Sequence, residues 1–426
     1  MRKRTTLRVL TLGLCLAAPV WAAADRADTA NAAVGILEPA LPFYAGIPIP
    51  LQLDNAITQA LGGRALNLDL YGGEFLTIDD NIFGSSQRRK HDAIWTSMGG
   101  LKMRYTTDEY NYGVAGQLMW HEFDKYGDES DWEGNIGGDV ALTLSPAVAL
   151  RAYGTTARTS IPRGPDLPGV EQRDDYTAGA VLTLLPTDSF GVDIGYDYYT
   201  KDNRENGAAA QEYYDQAAWV KPAYALTDNA QVYVRLTEGW VRYDANPVIS
   251  DGEYTEGVLG YFWKYRDTMS LNIEGGIQHR EYDPARRGIE IDDVTGQVIR
   301  GNGVYAFSRE WAVGASVVHQ PGEASDDEEG RIGAVRSNYV VRTSWSPYLQ
   351  YRPTARLRCL VGPSWTHGNP ENGPSYDVRG LSLSVSYAFT DWLSAGASYT
   401  YGKTEYDTGG NSRSRNRVNL GLMLMF

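Results

Sequence analysis

From residue 66 onward, apolar and polar residues alternate one by one over long runs. Trp132, Gly134, Ile136, Gly138, Val140, Leu142 and Leu144 fall on one side of an extended chain, and Glu133, Asn135, Asp139 and Thr143 on the other, because successive strand side chains point to opposite faces. Phe190, Val192, Ile194, Tyr196 and Tyr198 alternate in the same way with Asp193 and Asp197. Met269, Leu271, Ile273 and Ile277 alternate with Asn272, Glu274, Gln278 and Arg280; Leu381, Leu383, Val385, Tyr387 and Phe389 alternate with serines. These runs last ten to fourteen residues, whereas strands of water-soluble sheets usually stop after about five or six. No stretch after residue 61 carries a strong helical period.

Two kinds of connection separate the runs. Short ones are Thr107-Asp108-Glu109, Ser145-Pro146-Ala147, Pro186-Thr187-Asp188, Thr227-Asp228-Asn229, Arg266-Asp267-Thr268, Ser308-Arg309-Glu310, Arg352-Pro353-Thr354 and Thr390-Asp391-Trp392. Long polar ones lie near residues 80–91, 125–131, 159–172, 201–211, 245–252, 283–292, 320–334, 367–375 and 403–415. Eight short and nine long connections in strict alternation join eighteen strands. The pattern predicts an all-β fold, a transmembrane antiparallel up-and-down β-barrel with short periplasmic turns and long extracellular loops. Sixteen and twenty strands stay open, because the first strand (near Leu66–Ile78) and residues 289–307 are less regular; Gly296, Gly301 and Gly303 predict a β-bulge there.

The two ends of the chain agree with export. Arg2-Lys3-Arg4, the apolar run from Leu7 to Val20 and Ala22-Ala23-Ala24 read as a secretory signal peptide over residues 1–24. Cleavage after Ala24 takes four basic residues and moves the formal charge from −14 to −18. At the other end Val418, Leu420, Leu422, Leu424 and Phe426 share one strand face, and Asn419, Gly421, Leu424 and Phe426 resemble the terminal assembly signal of outer-membrane barrels. That resemblance implies the barrel-assembly machinery as a partner.

Composition narrows the alternatives. Only 22% of residues are charged, while Gly numbers 46 and Tyr 29, as a barrel with an apolar outside and a polar lumen requires. The mature chain keeps a single cysteine, Cys359, so no disulfide forms within it and no cysteine-rich metal site exists; period two places Cys359 with Leu357 and Val361 on the outer face. The acidic balance argues against nucleic acid. Tyr105, Tyr110, Tyr224, Tyr265, Trp311, Tyr351, Phe389 and Trp392 flank the short turns, and Trp120, Trp132, Trp240, Trp365, Tyr399 and Tyr401 flank the long loops. Two interfacial girdles account for them, against the sharper reading of rings that stack sugars in the lumen. Residues 25–65, rich in proline, read as a periplasmic extension or as a plug, and residues 66–426 as the barrel.

Reactive chemistry is sparse. His91, His121, His279, His319 and His367 all fall near extracellular strand ends, but no pair has ligand spacing, so no metal is expected. Acidic runs such as Asp326-Asp327-Glu328-Glu329 and Asp124, Asp128, Glu129 and Asp131 read as solvated loops. His121-Glu122 and Asp174-Asp175 lack partner motifs for a hydrolase; the expectation is no enzyme and no cofactor. The lumen-facing register instead collects Glu133, Asp139, Asp193, Asp197, Arg235, Glu274, Gln278, Arg280, Arg342, Arg356 and Arg358. Arg342, Arg356 and Arg358 can form a basic ladder that faces acids across the lumen, which orders water and selects solutes. Equally, these groups can satisfy one another inside a plugged barrel.

The stretch Tyr71–Phe83, with Asp80-Asn81-Ile82-Phe83 opening the first long loop, resembles the start of the β-barrel porin 2 family. The resemblance spans roughly residues 66–426, and it implies a link to exopolysaccharide synthesis and export. A lumen for an anionic polymer would carry excess positive charge, which this acidic chain lacks. The expectation is a bacterial outer-membrane channel for passive solute diffusion or polysaccharide export. The competing class is a non-conducting structural or adhesion barrel that works through its loops. Partners are then outer-membrane lipid, lipopolysaccharide and a polysaccharide or small solute.

Overall fold

The computed structural model describes residues 66–83, 89–107, 109–162, 170–203, 212–243, 250–265, 268–283, 293–323, 339–371, 374–407 and 412–425. The expectations placed on residues 1–65, on Asp326-Asp327-Glu328-Glu329 and on Phe426 lie outside them. The strands in chain order begin with β1 (Leu66–Asp79), β2 (Asp92–Thr106), β3 (Tyr110–Phe123), β4 (Asp131–Ser145), β5 (Val148–Pro162) and β6 (Val170–Leu184). They continue with β7 (Phe190–Asn203), β8 (Tyr213–Thr227), β9 (Ala230–Tyr243), β10 (Gly252–Tyr265), β11 (Met269–Tyr282) and β12 (Val294–Ala306). The last six are β13 (Trp311–Glu323), β14 (Tyr339–Tyr351), β15 (Leu357–Pro370), β16 (Tyr376–Ala388), β17 (Leu393–Tyr406) and β18 (Arg413–Met425). Each pairs antiparallel with its chain neighbours, and β1 pairs with β18, so the eighteen strands close into one barrel.

The short turns share a local device. The hydroxyl of Thr107 accepts the N–H of Tyr110 at 3.0 Å, and Thr187, Ser308, Thr354 and Thr390 do the same for Phe190, Trp311, Leu357 and Leu393 at 2.9–3.1 Å. In every case the donor is the first residue of the next strand. A hydroxyl that caps a backbone N–H two or three residues on fixes a tight reversal, so five of the eight short turns are written as Ser/Thr-x-x-apolar.

The register sorts side chains onto two faces. Leu118, Leu144, Leu259 and Ile277 point outward and are 62–64% exposed, which only an apolar solvent tolerates on this scale. All strand residues assigned to the aromatic girdles point outward too: Tyr105 and Tyr110 at the short-turn end and Trp120, Trp132, Trp240 and Trp365 toward the long loops. A closed, even-stranded barrel with this exterior is an outer-membrane protein.

One expectation fails. Gly301 and Gly303 do not make a bulge: β12 pairs without a register shift with β11 from Val294 to Tyr305 and with β13 from Ile299 to Ala306, and Gly296 lies beyond the ladder with β13. A Cβ on Gly301 would lie 3.1 Å from Val317 and 3.3 Å from Ile273, and one on Gly303 3.3 Å from Leu271, so these glycines make room for branched neighbours. The register shifts lie instead beside two short turns, at Thr143/Ser145 and Ala225/Thr227.

The barrel is fastened where its ends meet. Asp79, fully buried at the top of β1, takes Arg415 and Arg417 of β18, each at 2.7 Å. Asp80 accepts from the backbone and side-chain nitrogens of Asn416 at 2.7 and 2.6 Å, and Asn81 donates to the carbonyl of Ser414 at 2.9 Å. Ile82 and Phe83 are buried, and Phe83 meets Tyr126 edge-on. The Asp80-Asn81-Ile82-Phe83 element is thus part of a clasp across the seam.

Candidate functional site

The inner wall is where eighteen strands bring chemistry together. The pairing register places Glu133, Asp139, Asp193, Asp197, Arg235, Glu274, Gln278, Arg280, Arg342 and Arg358 on the inner face; Arg356 precedes β15 on the same parity and is exposed.

Most of these charges are engaged along the wall. Arg235 (β9) and Arg300 (β12) flank Glu256 (β10) and Glu274 (β11). Arg235 reaches Glu274 at 2.8 Å and Glu256 at 3.4 Å, and Arg300 reaches Glu256 at 2.8 Å and Glu274 at 3.3 Å. Tyr233 donates to Glu274 at 2.8 Å and Gln278 to Glu256 at 3.0 Å. All four charged groups are buried. Charges removed from water are tolerated only when opposite charges and hydrogen bonds surround them, and two central glutamates flanked by an arginine on either side achieve this.

Smaller clusters continue the pattern. Asp193 takes Lys221 at 2.9 Å and Thr183 at 2.8 Å. Asp197 takes the indole N–H of Trp219 at 2.8 Å and the hydroxyl of Tyr153. Asp175 takes Arg173 at 2.8 Å and Tyr199 at 2.6 Å, and Asp139 lies between Arg104 and Arg151. Arg280 joins Glu323, which also accepts from Tyr243. His121 faces Glu133 at 3.3 Å, while its neighbour Glu122 is on the outer face. Asp174 and Asp175 are split likewise, Asp174 outward on Arg158 at 2.8 Å. Adjacent strand residues cannot act together, so neither pair forms a dyad. His279, His319 and His367 point outward, away from His121.

A second ordering device was not visible in the sequence. Seven inward aromatic rings lie flat on glycines directly opposite them on a neighbouring strand: Tyr71 on Gly100, Tyr153 on Gly179, Trp219 on Gly195, Tyr233 on Gly260, Tyr254 on Gly239, Tyr348 on Gly314 and Tyr376 on Gly368. A Cβ at any of these glycines would come within 2.0–2.4 Å of the ring. The rings therefore hug the wall.

The wall is not uniform around the ring. Across β4–β8 the described inward positions carry the carboxylates Glu133, Asp139, Asp175, Asp193, Asp197 and Asp215 together with the bases Arg151, Arg173, Lys201 and Lys221. Across β14–β17 the described inward positions carry no carboxylate; they are dominated by Ser, Thr and Gly, with Arg342 and Arg358 toward opposite ends. Strands β7 and β16 are nine places apart in an eighteen-membered ring, so the two arcs face each other. Inward Ser346, Ser364 and Ser382 are exposed.

No family model matches the chain, and no curated protein matches it. Solved structures that superpose on it include a BenF-like porin from Pseudomonas fluorescens Pf-5, 12% identical with a TM-score of 0.49 over 85% of this chain and 99% of that one. OccK9 (OpdG) of Pseudomonas aeruginosa is 12% identical with a TM-score of 0.46 over 85% and 98%. OpdK of Pseudomonas aeruginosa with vanillate is 11% identical with a TM-score of 0.45 over 84% and 99%. Likeness at this level assigns no family; the eighteen-stranded closure stands on this chain's own register.

Proposed function

We propose that the protein is a passive diffusion channel of the outer membrane for small polar solutes. The observation that carries this reading is the state of the inner wall. Its strongest charges are neutralised sideways by their own neighbours, its rings lie flat on glycines, and inward serines at 346, 364 and 382 remain exposed. Barrels of about sixteen to eighteen strands are wide enough for an aqueous passage. Among the described residues the inward carboxylates of β4–β8 outnumber its inward bases, whereas β14–β17 carries arginines and no inward carboxylate, and this imbalance adds a transverse field that aligns water and dipolar solutes.

The link to exopolysaccharide export, and the porin 2 family from which it comes, rests on Asp80-Asn81-Ile82-Phe83. That element clasps the seam, so barrel closure accounts for its presence without an export role. Planar-bilayer conductance of the refolded mature protein tests the reading. Stable ohmic steps are the expected outcome. Silence that is relieved when residues 25–65 are cut away would make that segment a plug. Silence in both forms would leave the structural or adhesion barrel as the better account.

A further inference from the structure

The arc from β14 to β17 differs chemically from the rest of the inner wall. Ser346, Ser364, Ser382, Ser384, Ser398 and Thr400 face inward here. Between them stand inward glycines, and a Cβ at Gly402 would meet nothing within 4 Å. The charged clusters of β9–β12 are buried, whereas Ser346, Ser364 and Ser382 are exposed. The accessible part of the lumen therefore runs along this arc.

A second observation points to what the arc binds. Ser386 and Tyr376, also inward on β16, are each 1% exposed, and among the described residues neither hydroxyl has a hydrogen-bond partner. Buried hydroxyls are normally satisfied, so these two, near opposite ends of one strand, leave hydrogen-bonding capacity unspent on the inner face. Each hydroxyl both donates and accepts. A row of them suits a solute whose own surface is hydroxyl, and offers no full charge to an ion. Arg342 and Arg358 near the ends of the arc are already engaged.

We infer that the β14–β17 wall is a selectivity surface for neutral polyhydroxylated solutes of sugar size, which slide along it by exchanging hydrogen bonds with Ser346, Ser364, Ser382 and their neighbours. This rests on the channel reading above.

Swelling of liposomes that contain the full mature protein tests it with three solutes on one carbon skeleton: glucose, gluconate and glucosamine. Glucose is expected to enter fastest. The triple variant S346A/S364A/S382A keeps the bore and removes the hydroxyls; its glucose rate should fall by roughly 2- to 10-fold, the worth of one net hydrogen bond, while its single-channel conductance in KCl stays close to that of the parent. Ser382→Asp, which adds a charge without removing space elsewhere, should lower glucose entry and raise glucosamine entry. Resistance to unfolding in detergent identifies any variant that has not formed the barrel. Equal rates for the three solutes, or a triple variant that transports glucose like its parent, would overturn the inference and leave the channel intact. A parent protein with neither conductance nor swelling would overturn both.

Discussion

Gly260 has no side chain, and the ring of Tyr233 occupies the place where one would begin, 2.1 Å from a would-be Cβ. Gly260→Ala must lift that ring off the wall and away from Glu274, which it bonds. Overpacking of this kind costs about 1–3 kcal/mol, which a lowered urea midpoint will show, and the raised ring should reduce single-channel conductance. Gly402→Ala is the matched control. Nothing stands within 4 Å of its Cβ, so it should gain about 0.5 kcal/mol or stay neutral, as glycine in a strand interior is mildly unfavourable. Glu256 serves both Arg235 and Arg300. Glu256→Ala leaves two buried guanidiniums with one carboxylate, and the expected loss is about 3–5 kcal/mol, measured by the same unfolding curves.

At the scale of strands and turns, much of the architecture is legible in the sequence. The run from Trp132 to Leu144 shows its two faces directly, because a period of two needs no knowledge of partners. The short turns are legible for a similar reason: Thr187-Asp188-Ser189-Phe190 and Thr390-Asp391-Trp392-Leu393 hold their hydroxyl and its N–H within four residues. Thr390→Ala removes such a bond and should cost about 0.5–1.5 kcal/mol, read as a lower unfolding midpoint. What the sequence hides is anything that depends on register. Tyr233 and Gly260 are neighbours only because β9 and β10 pair with Tyr233 opposite Gly260, and Arg300 meets Glu256 only across an intervening strand. Glycine itself is ambiguous in sequence. In β12 it suggested a bulge, yet Gly301 and Gly303 yield space to Val317 and Leu271. The inward side of Arg342 and Arg358 follows from alternation, but their opposition to the acidic arc requires the closed ring.

At the scale of the whole barrel, closure turns local alternation into a field. Replacing Arg356 and Arg358 by Ser should move the reversal potential in a salt gradient toward cation preference, because the acids of β4–β8 would then face a less basic arc. The same closure depends on a few atoms at the top of the seam, where Asp79 is wholly enclosed and takes Arg415 and Arg417 of β18 together with the backbone N–H of Asn81 at 2.9 Å. The carboxylate lies at the end of β1 and its two counter-charges lie on β18, so they meet only across the closing seam. Until β1 and β18 pair, the carboxylate stays hydrated, and the cost of removing it from water arises in the same step that brings the guanidiniums to it. The ion pair thus favours the closed ring over any arrangement in which β1 and β18 stand apart.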